Sequence, residues 1–384
     1  MIRRNVVSSN HLHSLLSGLR IMAARLRPCI GLVLGAALLS GCAQEPVIHA
    51  PSRYAAYARL IPPDRLLTLS DGARIPVRIW PAKGPEKGRI LALHGFNDSR
   101  DAWEFSAPAF AASGFTVWAP DQRGFGAAPE RAGWDGTERL VKDAREELMQ
   151  MARESATAFG HIPVWLMGES MGGAVAMLAA SGPQAPSMAG VILLAPAVWN
   201  LGPIGRLPAH LLADIAPEGA LSGHELPVHV VATNNIAALR RLYFDPLTLH
   251  ITHFRALRGL VDLMAQASHA AKSQHVPTLV IYGDRDQFVP PEAMAHAWRH
   301  FPAEVRRDLI PGGHHLLLRD REGGRVVDDI LSWLDHPDAP LPSGGDVSAA
   351  VWAAENGAQP DGPAQGAVQP FPLLPSRLDG AVAP

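Results

Sequence analysis

Ser170 stands in the run Gly168-Glu169-Ser170-Met171-Gly172-Gly173. A serine hydroxyl is a weak nucleophile unless a base takes its proton, and the base needs an acid to orient it. Two later segments carry those types. Asp286 closes Gly283-Asp284-Arg285-Asp286, and His315 closes Gly312-Gly313-His314-His315. Together they suit acyl transfer through a covalent serine intermediate, which needs no metal and no cofactor. The Gly-x-Ser-x-Gly pattern alone is weak. With 17 histidines in the chain, most must serve elsewhere.

The surrounding elements strengthen the pattern. Short apolar runs at 74–80, 89–93, 116–119, 164–167, 191–194, 278–281 and 308–310 read as strands. Between them lie helical periodicities. Leu140, Ala144, Leu148, Met151 and Ser155 share one face of a helix over 137–158, and 171–180 reads as a short buried helix. Strands alternating with helices predict an α/β fold with a mostly parallel sheet. Ser170 then falls at a strand-to-helix turn, beside free N–H groups that favour developing negative charge. Asp286 and His315 each follow a strand, where open α/β sheets place their sites. The oxyanion needs two backbone donors. Met171, after the nucleophile, supplies one, and Phe96 in His94-Gly95-Phe96-Asn97-Asp98 the other. Asp121-Gln122-Arg123-Gly124-Phe125-Gly126 is not a dinucleotide fingerprint, because Pro129 holds the third glycine position. It reads as a turn supporting the oxyanion loop. The helical stretch 199–275 reads as a cap inserted over Ser170. Its apolar patches at 207–212 and 257–264 fit either an acyl pocket or the cap's own core.

These blocks resemble the α/β-hydrolase superfamily, and within it the monoacylglycerol lipase and lysophospholipase branch. The resemblance runs from about Leu66 to Leu334. It is carried by His94-Gly95, Asp121 to Gly126, Ser170-Met171-Gly172-Gly173, Asp245-Pro246-Leu247, Gly283 to Asp286 and Gly312 to His315. It implies Ser170 as nucleophile, Asp286 as acid, His315 as base, and Phe96 and Met171 as oxyanion donors. It also implies a small lipid ester as substrate. His314 stands where the family often has tyrosine, and Phe96-Asn97 replaces a commoner small or glycine pair. Acyl transfer or peptidase action on the same fold, or a non-catalytic envelope lipoprotein, are the competing readings.

The remaining sequence bounds the setting. Lys and Arg total 34 against 36 Asp and Glu, giving a net charge of −2, so nothing points to nucleic acid. Two cysteines, Cys29 and Cys42, exclude a disulfide scaffold. Arg25 and Arg27 precede an uncharged apolar run at 30–39, which is too short to span a bilayer but suits a signal peptide. It ends in Leu39-Ser40-Gly41-Cys42, which resembles a bacterial lipobox. That implies a signal peptide over 1–41, starting at Met1 or Met22, and acylation of Cys42. It also implies a lipid-anchored protein of the cell envelope, with Ala43 favouring an outer membrane. A plain secretory signal is the alternative. Residues 42–65 read as a linker, 66–336 as the hydrolase domain, and the Pro/Gly/Ala-rich stretch 337–384 as a disordered tail.

Overall fold

Strands that are apolar on both faces make the centre of an eight-stranded sheet. The computed structural model describes residues 45–157, 160–222 and 230–358. The strands are β1 (Arg65–Thr68), β2 (Arg74–Trp80), β3 (Gly88–Leu93), β4 (Phe115–Pro120), β5 (Val164–Glu169), β6 (Gly190–Leu194), β7 (Thr278–Gly283) and β8 (Arg306–Ile310). Their order across the sheet is β1-β2-β4-β3-β5-β6-β7-β8. The hairpin β1–β2 and the pair β2–β4 are antiparallel; the other pairs are parallel. Every residue of β4, β6 and β7 is buried, as strands covered on both faces must be. β1 has no counterpart among the strands expected from sequence. Four residues with one buried side chain carry too little alternation to read.

The helices are α1 (Ala107–Ala112), α2 (Thr137–Glu154), α3 (Met171–Ala179), α4 (Gly202–Ile215), α5 (Ile236–Phe244), α6 (Phe254–Ala270), α7 (Pro291–His300), α8 (Gly323–Asp335) and α9 (Gly345–Glu355). One core joins α2, α3, α6 and α7 to the sheet through Leu148, Val175, Leu263 and Met294. A second core lies under α1 and α8, through Phe110 and Ile330.

Two expectations change here. The stretch 199–275 does not form one cap. Its last helix, α6, packs on α3 and sends Leu263 and Ala267 into the main core, so the patch 257–264 belongs to the body. The cap proper is α4, α5 and a two-stranded ribbon pairing Ala220–Ser222 with Ile251–His253. Nor is 337–384 disordered throughout. Leu341 is buried and α9 lies on β8, with Trp352 against Trp298 (4.9 Å between ring centroids) and Tyr282 (5.6 Å). Alanines on one face of α9 let it sit close, and a Pro/Gly/Ala composition hid that face. Residues 359–384, the expected signal segment 1–41 and Cys42 lie outside the described residues. Within the expected linker, Ser52–Ala58 forms a 3₁₀ turn against α5, and Tyr54 packs on Phe244.

Candidate active site

β5 ends at Glu169 and α3 begins at Met171, leaving Ser170 alone in the turn. Its backbone sits at φ 54°, ψ −115°. Such a non-glycine conformation costs on the order of 1–3 kcal/mol and persists only where the surroundings hold it. The Ser170 N–H donates to the Leu194 carbonyl (2.9 Å). Its own carbonyl accepts from Ala174 (3.0 Å) and Ala197 (2.9 Å). The glycines are required by close approach. A Cβ on Gly168 would strike the Gly172 carbonyl, and one on Gly172 the Leu93 carbonyl. Residues 166–169 and 171–177 are buried, while Ser170 keeps access to solvent.

Asp286 and His315 meet at the carboxyl ends of β7 and β8. Asp286 Oδ2 lies 2.8 Å from His315 Nδ1. Asp286 Oδ1 accepts from the N–H groups of Phe288 (2.7 Å) and Val289 (3.0 Å). With Nδ1 committed to the carboxylate, Nε2 is the nitrogen free to receive a proton. The Phe288 ring stacks on the imidazole at 4.7 Å and 27°. Both side chains are buried. Asp284, two residues away, is exposed and accepts from the Gly312 N–H at 2.6 Å, so it braces the loop that leads to His315.

The loop expected to carry an oxyanion donor closes on the turn that holds Ser170. A Cβ on Gly95 would lie 3.5 Å from the Ser170 Cβ. Phe96 follows on that loop, its ring edge-on to Phe125 at 5.4 Å. Met171 is the first residue of α3, so its N–H has no acceptor within the helix. His94 is fully buried, and burial lowers its pKa, keeping it neutral. Its Nδ1 meets the Gly95 carbonyl (2.7 Å) and its Nε2 accepts from the Gln122 N–H (3.0 Å). Gln122 Nε2 in turn donates to the His94 carbonyl (2.7 Å). The 121–126 turn thus supports the oxyanion loop from beneath.

Two features were not foreseen. Asn97 adopts φ 61°; its side chain donates to Thr252 Oγ1 (2.8 Å), and its carbonyl accepts from Leu249 (2.9 Å). The cap therefore rests on the oxyanion loop. Asparagine's tolerance of left-handed backbone was the one available signal. The second is an ion-pair cluster of Asp98, Glu169 and Arg319 behind the site. Partners this far apart in sequence leave no local pattern. Among the described residues no group of His, Cys, Asp and Glu could hold a metal ion.

The family model for serine aminopeptidases of the S33 type matches residues 84–322. The chain belongs to this hydrolase family. A monoacylglycerol lipase of Mycolicibacterium smegmatis is 27% identical over 275 residues, covering 68% of this chain and 93% of that one. A monoglyceride lipase of Rattus norvegicus is 23% identical over 283 residues, covering 70% and 89%. Among solved structures, a soluble variant of monoglyceride lipase from Saccharomyces cerevisiae, in complex with a substrate analog, superposes with a TM-score of 0.62. It is 20% identical and covers 76% of this chain and 98% of that one. The fold of this S33 family member is the α/β-hydrolase fold, with a mostly parallel sheet flanked by helices.

Proposed function

We propose that the protein is a serine ester hydrolase that cleaves single-chain acyl lipids of the monoacylglycerol or lysophospholipid type. The observation that carries the chemistry is the Asp286–His315 hydrogen bond of 2.8 Å beside a serine held on a strained turn. Ser170 Oγ attacks the ester carbonyl, and His315 Nε2 takes its proton. The N–H groups of Met171 and Phe96 receive the charge on the carbonyl oxygen. The tetrahedral intermediate expels the alcohol, which takes the proton from His315. Water then attacks the acyl-enzyme by the same route and releases the fatty acid. One oxyanion donor of this kind is worth about 10²–10³ in rate.

The named relatives support an acyl-lipid substrate, and so does the cap. Ile204, Leu207, Leu211 and Ile215 recur along one side of α4 and are each about half exposed or more, an apolar stripe suited to an acyl chain. The family description also raises peptide cleavage. An aminopeptidase must hold a substrate ammonium, yet Glu169, the acid beside Ser170, is buried and paired with Arg319. We further propose that Cys42 is acylated and anchors the protein in the cell envelope. Leu39-Ser40-Gly41-Cys42 after a short apolar run supports this, and a residue bearing several acyl chains gives stable attachment. No helix among the described residues is long and apolar enough to cross a membrane.

A fluorophosphonate probe on the intact protein tests the nucleophile: labelling must vanish in Ser170→Ala. A p-nitrophenyl ester chain-length series and 1-monoacylglycerol hydrolysis then test the substrate class, with aminoacyl p-nitroanilides as the competing substrates. Cleavage of the anilides alone overturns the lipid reading. Palmitate labelling that survives Cys42→Ala overturns the anchor.

A further inference from the structure

Arg319 is the last residue of the 3₁₀ turn Leu317–Arg319, four residues after His315. The residue is 4% exposed. One guanidinium nitrogen lies 2.7 Å from Asp98 Oδ2; the other donates to Glu169 Oε1. Asp98 is two residues beyond Phe96, and Glu169 immediately precedes Ser170. The turn holding Asp98 is closed by its own N–H to the Gly95 carbonyl (3.3 Å), and a Cβ on Gly95 would meet both Ser170 and Glu169. A single planar cation therefore joins the loops after β3, β5 and β8. Those are the loops that carry one proposed oxyanion donor, the nucleophile and the base.

We propose that Arg319 is a positioning residue, whose fork holds the oxyanion loop, the nucleophile turn and the base loop in mutual register. The inference rests on the ester-hydrolase reading above. Guanidinium suits the task because its donors are rigid and coplanar, so two carboxylates on separate loops are held at a fixed separation. The charges also fit. Burial works against the Arg319 cation, but Asp98 and Glu169 more than offset it and hold its pKa above the ordinary value. Burial, with the Asp98 charge, holds Glu169 above its ordinary value, and Arg319 and His315 oppose that rise. Without Arg319, a buried carboxylate pair would stand beside the position where the oxyanion develops. Asp98 and Glu169 pair with Arg319 rather than with Ser170, Asp286 or His315, and they transmit position through the backbone of their neighbours.

The test compares the full-length parent with Arg319→Met, Arg319→Lys and Glu169→Gln, using p-nitrophenyl acetate, whose short acyl group makes few contacts beyond the reacting centre. Displacement of a donor or base by about 1 Å costs about 100-fold in rate. Arg319→Met is expected to lose about 100-fold in kcat with KM within about threefold. Arg319→Lys should recover about tenfold, because an ammonium satisfies one carboxylate but cannot span both. Breaking a buried ion pair is itself destabilising. Hydrogen exchange at the peptides bearing Phe96 and Met171 is therefore read alongside; it needs no turnover. Exchange there should quicken in Arg319→Met and return toward the parent in Arg319→Lys. If Arg319→Met does not fold, Arg319→Lys and Glu169→Gln carry the comparison. Folded variants whose kcat and exchange match the parent overturn the inference. A parent that resists fluorophosphonate overturns the ester-hydrolase reading instead, and exchange alone then decides whether the clamp exists.

Discussion

Asp286 and Asp308 are buried carboxyls on the last two strands' side of the sheet, where Ile281 of β7 pairs directly with Asp308 of β8. Their surroundings differ. Asp286 receives two backbone N–H groups and an imidazole nitrogen, so the protein replaces the water its charge has lost. Asp308 is fully buried, and neither of its oxygens has a hydrogen-bond donor among the described residues. Burial above all, and then the Asp329 carboxyl, push it up to about 8. Gly345 at the start of α9 packs so closely that a Cβ there would collide with the Asp308 carboxyl. The contrast separates two uses of a buried acid. The carboxylate that meets an imidazole is given donors. A carboxyl that packs beneath a helix is kept neutral by depriving it of them.

The comparison breaks most visibly at Asp286. Asp286→Asn keeps an oxygen for Phe288 and Val289 but leaves the imidazole in the wrong tautomer. We expect kcat on p-nitrophenyl esters to fall about 10⁴-fold, with the circular dichroism spectrum unchanged. A loss under about tenfold would mean that another acid orients His315.

How much of this was legible in sequence depended on the range of the interaction. The seven strands read from apolar runs are present, because buried parallel strands announce themselves locally. The types and order of Ser170, Asp286 and His315 were readable because each follows a strand end. α9 was not, since its burial depends on Trp298 and Tyr282, residues far earlier in the chain. The position of α6 was misread for a related reason: periodicity gave its apolar face but not its partners, α3 of the body and α4 of the cap. The Asp98–Arg319–Glu169 cluster and the cap's hold on Asn97 join segments 70 to 220 residues apart, roughly, and such pairings have no period to detect.

Next in size is the packing over Asp308. Trp352 is half-buried against Trp298 and Tyr282, so Trp352→Ala should destabilise by roughly 2–3 kcal/mol, below the full cost of a buried tryptophan. Denaturant melts measure it, and an unchanged midpoint would mean that α9 contributes no packing energy. Smaller again is the effect at Asp284. Its carboxylate braces the Gly312 N–H rather than the imidazole. Asp284→Asn retains an acceptor and should cost about tenfold or less in kcat, through loop geometry alone. A loss as severe as that of Asp286→Asn would assign the acid to the wrong aspartate.

The other half of the comparison is tested through pH. An aspartate in the unfolded chain titrates near 3.9, whereas folded Asp308 is raised to about 8. Between those values the folded protein binds a proton that the unfolded chain does not. This group's contribution to stability therefore falls as pH rises from about 4 to about 8, and levels off above that. Asp329 and Asp346 reinforce the shift and Arg306 opposes it. Asp308→Asn removes the titration. The two proteins should melt close together near pH 5, and the variant should melt higher at pH 8, the gap opening as pH rises between those values. Parallel melting curves for Asp308→Asn and the parent across that range would show that Asp308 is ionised in the folded protein. The contrast between the two carboxyls would then rest on geometry alone.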